Sequence, residues 1–128
     1  MIVDTSALLA IVRDEPERDQ FAALILGESS RISAANWLEA AMVAEGARVH
    51  AGQRLDRIVE TTGLIIEPVT ETHARSARIA FRRYGRGSGS PARLNFGDCL
   101  AYALSATSGE PLLFKGDDFT HTDVLRAI

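Results

Sequence analysis

The chain has 128 residues, of which 46% are hydrophobic and 24% charged, with a formal net charge of −3. That length and balance fit one domain, residues 1–128, with an ordinary globular core, and they exclude wholesale disorder. No apolar run nears the ~18 residues that a bilayer span needs. The opening MIVDTSALLAIV lacks a basic leader, and the single cysteine, Cys99, excludes an internal disulfide framework or multi-cysteine zinc site. The expected compartment is the cytoplasm, away from membranes.

In chain order, Met1-Ile2-Val3 reads as a short buried strand that ends at Asp4. Thr5 and Ser6 then cap a helix through Val12. Asp14-Glu15-Pro16 starts a second helix, with Phe21, Leu24 and Ile25 on one face and Gly27 at its end. Arg31-Ile32-Ser33 is a weak strand signal. Ala34 to Arg48 has helical composition, and Leu55, Ile58 and Val59 mark a further helix closed by Gly63. Leu64 to Val69 is a third strand. Thr70 caps a helix whose stripe is Ala77, Ala80, Phe81 and Tyr84, and Gly85 to Pro91 is a loop of turn formers. Asn95 to Ser108 is a last helix, Pro111 to Phe114 a fourth strand, and Val124-Leu125 a short closing element. Short apolar strands alternating with helices predict an α/β fold: a mostly parallel sheet of four to five strands with helices on both faces.

Four carboxylate positions fall where such a sheet gathers its ligand sites, at the carboxyl edge. Asp4 follows the first strand, and Glu39 lies near the start of the helix after the second. Asp98 is in the first turn of the helix before the fourth strand, and Asp117 and Asp118 follow that strand. From Leu94 to Gly109 the only charge is Asp98. A helix without a polar face is buried on most sides, so this carboxylate needs a cation or strong donors. Asp4, set among Ile2, Val3, Ala7 and Leu8, needs the same. Clustered carboxylates do not stay ionised side by side without cations, and oxygen-only ligation selects a hard ion, Mg²⁺ or Mn²⁺. Asp4 and Asp98 are the expected metal ligands, and Glu39 binds the ion or orients water. Asp117 or Asp118 completes the set, with Ser6 and Asn95 in support.

The basic residues are unevenly spread. Thr72 to Gly97 holds Arg75, Arg78, Arg82, Arg83, Arg86 and Arg93 and no acid, a +6 segment that leaves −9 on the rest of the chain. Arg75, Arg78 and Arg82 share a helical stripe, and Arg86 and Arg93 carry the charge through the loop toward Asp98. Arginines that hold a backbone beside a carboxylate-bound metal suit a phosphodiester substrate. The histidines (His50, His73 and His121) lack ligand spacing. Cys99 reads as a small buried hydrophobe. A receiver domain and a dehalogenase-type phosphatase both need acids that are absent after the first or third strand.

The DTSAL opening, Glu39, the LNFGDC segment and the closing PLLFKGDDFTHTD together resemble PIN-domain ribonucleases, and VapC-type toxins of type II toxin–antitoxin systems in particular. The resemblance runs over essentially the whole chain. It implies an α/β/α sandwich, Mg²⁺- or Mn²⁺-dependent endoribonuclease activity and inhibition by a cognate VapB-type antitoxin. It also implies a homodimer. Asp4, Glu39 and Asp98 match the family's acidic triad, and Ser6 matches a hydroxyl position beside the first acid. The family's fourth acid commonly falls where this chain has Gly116, so Asp117 or Asp118 replaces it, or three acids suffice. The alternative is an RNA- or partner-binding module with a degenerate metal site on the same fold.

Overall fold

The computed structural model describes residues 1–128. Four short strands, β1 (Ile2–Val3), β2 (Arg31–Ser33), β3 (Ile65–Glu67) and β4 (Leu112–Leu113), form one parallel sheet in the order β3-β2-β1-β4. Parallel neighbours need crossovers, and six helices supply them. They are α1 (Thr5–Val12), α2 (Arg18–Gly27), α3 (Ala34–Glu45), α4 (Ala51–Thr62), α5 (Glu71–Tyr84) and α6 (Phe96–Ser108).

The alternation of side chains along each strand divides the core into two layers. Val3 and Leu113 face α1 to α4, where Leu8, Ile11, Phe21, Ile25 and Leu55 fill the first layer. Ile2 and Leu112 face α5 and α6, where Leu94, Leu100 and Leu104 fill the second. The result is the three-layer sandwich that the alternating pattern predicts.

Several boundaries differ from expectation for physical reasons. The helix expected to reach Arg48 ends at Glu45, and a turn follows in which His50 takes a left-handed backbone conformation (φ 67°). The third strand is shorter than the apolar run Leu64–Val69, and its Ile65 and Ile66 are exposed because β3 is a sheet edge. The tail forms a 3-10 turn (Asp118–His121) and then pairs in parallel with β4 through a single bridge, Leu112 with Arg126. On α5, Ala77 and Ala80 are buried as the stripe predicts, but Phe81 is left half exposed. No helix is long and apolar enough to cross a membrane.

Candidate active site

Asp4 leaves β1 and caps α1. Its Oδ2 accepts hydrogen bonds from the Ser6 N–H (2.9 Å) and the Ser6 hydroxyl (2.5 Å). The residue is 3% exposed, and its Oδ1 is buried without any donor. Burial pushes the carboxyl up to about 6, against the Ser6 hydrogen bonds, and the charges of Asp98 and Glu39 add to the rise. The Ser6 hydroxyl in turn accepts from the Lys115 backbone N–H (3.0 Å), which ties the loop after β4 to the start of α1.

Asp98 occupies the first turn of α6 in a reciprocal cap. Its N–H donates to Asn95 Oδ1 (2.9 Å), and its Oδ2 accepts from the Asn95 N–H (3.0 Å). One oxygen is thereby fixed, and the other makes no hydrogen bond within the protein. Burial raises this carboxyl, the Asn95 N–H opposes the rise, and the charges of Asp118 and Glu39 strengthen it. Arg86 acts in the opposite direction.

Glu39 reaches the same place from the second turn of α3. A Cβ on Gly97 would lie 2.8 Å from Glu39 Oε2 and 2.9 Å from Oε1, so a larger residue there would make the Glu39 carboxylate swing away from its place against the first turn of α6. Asn36, one turn earlier and fully buried, holds this approach. Its Nδ2 donates to the Gly97 carbonyl (2.9 Å) and to Thr5 Oγ1 (3.2 Å), and Thr5 Oγ1 donates to the Asn36 carbonyl (3.1 Å). Three helix starts are locked together by one amide.

Asp4, Ser6, Glu39 and Asp98 line a cleft of about 470 Å³ with Arg13, Glu15 and Lys115. The Lys115 ammonium is held by Glu15 and Glu17. Cations therefore do stand at the rim, which the linear sequence did not reveal. Asp117 and Asp118 are exposed and lie outside the cleft lining; of the two, only Asp118 acts on Asp98 through its charge. No three of the His, Cys, Asp or Glu side chains are drawn up tightly enough to enclose an ion. The donor set nevertheless fits a hard divalent cation: it offers oxygen only, an orphaned Oδ1 on Asp4 and the notch at Gly97.

The arginines of α5 and the following loop are exposed. Arg75 pairs with Glu71 (3.4 Å), and Arg83 pairs with Asp123 (3.5 Å) and covers the Tyr84 ring. Arg78, Arg82, Arg86 and Arg93 are outside the salt bridges. Asn36 and Gly97 were not singled out by sequence reasoning, and Thr5 was read only as a helix cap. The available signal was a polar Asn36 one turn before Glu39 in an otherwise apolar helix start.

A family model for the PIN domain matches residues 1–125. The chain belongs to the PIN-domain family, in its VapC group. It is 52% identical over an alignment of 130 residues to ribonuclease VapC28 of Mycobacterium tuberculosis, covering 100% of this chain and 98% of that protein. It is 48% identical to ribonuclease VapC42 of the same species, covering 97% and 96%. Among solved structures, M. tuberculosis VapC20, a sarcin-ricin loop cleaving toxin, superposes with a TM-score of 0.76 at 17% identity, covering 98% of this chain and 97% of that one. A toxin–antitoxin complex from Klebsiella pneumoniae superposes with a TM-score of 0.72 at 21% identity, covering 95% and 92%. At those identities the superpositions establish the fold.

The raised carboxyl of Asp4 has a consequence for stability. Between about pH 6 and the ordinary value of 3.8 the native state binds a proton that the unfolded chain does not. In EDTA, this group's contribution therefore rises as pH falls through that window, by at most about 3 kcal/mol. Urea denaturation from pH 7 to pH 4 should show Asp4→Asn more stable than the wild type at pH 7, with the difference closing at pH 4. Parallel pH profiles for the two proteins would contradict it.

Proposed function

We propose that this chain is a metal-dependent endoribonuclease and the toxin of a type II toxin–antitoxin pair. The observation that carries the reading is the buried carboxylate of Asp4, short of one donor, in a cleft shared with Asp98 and Glu39. The names of its half-identical relatives, VapC ribonucleases, support the same activity.

Asp4 and Asp98 would hold Mg²⁺ or Mn²⁺, each through the oxygen that its own cap leaves free. When bound, the ion supplies Lewis acidity toward a scissile phosphate and lowers the pKa of the attacking water. Ser6 fixes the Asp4 carboxylate, and Asn95 fixes that of Asp98. Glu39, set against Gly97, orients water and accepts its proton at Oε1 or Oε2. Asp118, whose charge already acts on Asp98, is the better placed of the two loop acids to complete the set. Arg78, Arg82, Arg86 and Arg93, with Arg75 at the far end, hold phosphates of the RNA backbone by charge.

An inhibitory antitoxin is supported by a second surface. An apolar groove of about 650 Å³ runs between α1, α2, α3 and α4 over Leu9, Val12, Leu26 and Ile58, with Arg13, Arg48, Arg54 and Arg57 at its margin. Phe21 and Ile25, on the inner face of α2, are buried in the core and do not line the groove. Leu9, Arg13 and Val43 line both this groove and the acid cleft. An amphipathic segment with acidic residues would fill the groove and reach the cleft from it. Leu38 and Met42, exposed on the outer face of α3, support a second copy of the chain as a further partner.

Incubation with RNA should give cleavage in Mg²⁺ or Mn²⁺ and none in EDTA. Asp98→Asn should keep the fold and lose on the order of 100-fold or more in rate, because it removes charge aimed at the transition state. Gly97→Ala, which displaces Glu39, should lose on the order of 10- to 100-fold. RNA binding without cleavage at any metal concentration would favour the degenerate binding module. In a bacterial host, this chain alone should arrest growth, the neighbouring upstream reading frame should rescue it, and Asp4→Asn should be harmless. Equal toxicity of wild type and Asp4→Asn would remove the nuclease explanation.

A further inference from the structure

The segment after β4 carries both candidates for the fourth acid, and it is pinned at two points. At its start the Lys115 N–H donates to the Ser6 hydroxyl (3.0 Å), which itself donates to Asp4. Toward its end the Tyr102 hydroxyl donates to Asp123 Oδ1 (2.5 Å). Between the pins the chain reverses at Gly116 (φ 100°), a conformation that glycine adopts freely, and coils through the 3-10 turn Asp118–His121. Phe119 of that turn is buried and packs on Phe114, with ring centroids 5.1 Å apart.

The placement of the second pin is specific. Tyr102 stands four residues after Asp98 on α6, so the two side chains share one face of the helix, a turn apart. Tyr102 is buried and packs against Tyr84, with ring centroids 5.7 Å apart. Asp123 also meets Arg83 (3.5 Å). The end of α5, the second turn of α6 and the tail are thereby drawn to one junction. A hydrogen bond to an ionised carboxylate is roughly twice as strong as a neutral one. Burial and the bond to Asp123 push the Tyr102 phenol up, so it stays a donor. The Tyr102 hydroxyl and the Arg83 charge hold the Asp123 carboxyl down, so it stays an acceptor.

The turn between the pins works against its own charge. Asp117 and Asp118 are exposed, and the charge of Asp118 bears on Asp98, which already feels Glu39. Carboxylates gathered without a cation repel, so a turn free to move would swing its acids out toward water. We propose that Tyr102 and Asp123 are positioning residues of the acid cleft, whose hydrogen bond holds the turn after β4 so that Asp118 stays beside Asp98. The proposal rests on the ribonuclease reading above and extends its site. Neither residue lines the cleft, and neither touches the ion or the RNA. One face of α6 therefore presents an acid and, a turn along, tethers the segment that brings the next acid to it.

Tyr102→Phe removes the hydroxyl and keeps the ring in the core, and Asp123→Asn keeps an acceptor for the hydroxyl. In EDTA, hydrogen exchange of the amides from 117 to 124 should quicken about tenfold in Tyr102→Phe and less in Asp123→Asn, with α1 to α4 unchanged. Calorimetric titration with Mn²⁺ should show Tyr102→Phe and Asp118→Ala each binding about tenfold more weakly than the wild type, with Asp123→Asn between. Tyr102→Phe combined with Asp118→Ala should bind no more weakly than Asp118→Ala alone, because the hydroxyl then has no acid to place. A lost core contact would instead add its own loss. Single-turnover cleavage of RNA should follow the same order. Unchanged exchange in Tyr102→Phe, wild-type Mn²⁺ affinity in that variant, or additive losses in the double variant would each overturn the positioning role. If the wild type cleaves RNA and Tyr102→Phe matches it in all three measurements, only the tether falls. If the Mn²⁺ pattern holds and the wild type cleaves no RNA, the ribonuclease reading falls and the tether stands.

Discussion

Asp4 sits at the carboxyl end of a central strand, beneath a helix that it caps, and it is almost wholly removed from water. The fold supplies donors to one of its oxygens only, both from Ser6. A lone carboxylate in that position resists ionisation, and two further acids nearby make ionisation harder. Stability alone would favour a neutral cap such as Ser or Asn, which satisfies the helix N-terminus without a buried charge. A perturbed carboxyl of this kind, in a cleft and with unspent acceptor capacity, supports the proposal of a cation at this site.

The surrounding structure serves to hold that arrangement still. The strand order β3-β2-β1-β4 brings the loops after β1, β2 and β4 to one edge of the sheet. Asn36 binds the starts of α1, α3 and α6 to one another, and the absent side chain at Gly97 lets Glu39 come in close. The reciprocal cap with Asn95 fixes Asp98. Lys115, on the loop after β4, is bound to Glu15 and Glu17 ahead of α2, so two loops of distant sequence close one side of the cleft. The residues shared by the cleft and the apolar groove, Leu9, Arg13 and Val43, give whatever fills the groove a physical route to the acids.

The parts legible in the sequence were those with a one-dimensional signature. A three-residue apolar run ending in Asp4 could be read as a strand, although the cap of the next helix, expected at Thr5 and Ser6, falls to Asp4 itself, whose carboxylate accepts from the Ser6 N–H. The near absence of charge from Leu94 to Gly109 marked α6 as buried and Asp98 as exceptional. Thr70 announced its cap, and the structure gives it a full reciprocal one with His73. What stayed hidden depends on tertiary approach. Asn36 is an unremarkable residue in an alanine-rich helix until Gly97 and Thr5 are brought to it across 61 and 31 positions of sequence. Gly97 is one small residue in the first turn of a predicted helix until Glu39 is brought against it. Ile65 and Ile66 carry a buried-strand pattern, and only the strand order shows that they lie on an edge. The choice between Asp117 and Asp118 was not available from spacing, since both follow β4 in a polar turn.

Calorimetric titration of Mn²⁺ into the protein at pH 7 tests most directly whether these carboxylates form one cation site. The buried, half-satisfied Asp4 and the capped Asp98 predict saturable binding in the wild type. That binding should be lost in Asp4→Asn and in Asp98→Asn, and kept in Asp14→Asn, whose carboxylate is already occupied by Arg18 and Arg54. Saturable binding that survives Asp4→Asn, or a wild type that takes up no Mn²⁺ at all, would contradict the shared site.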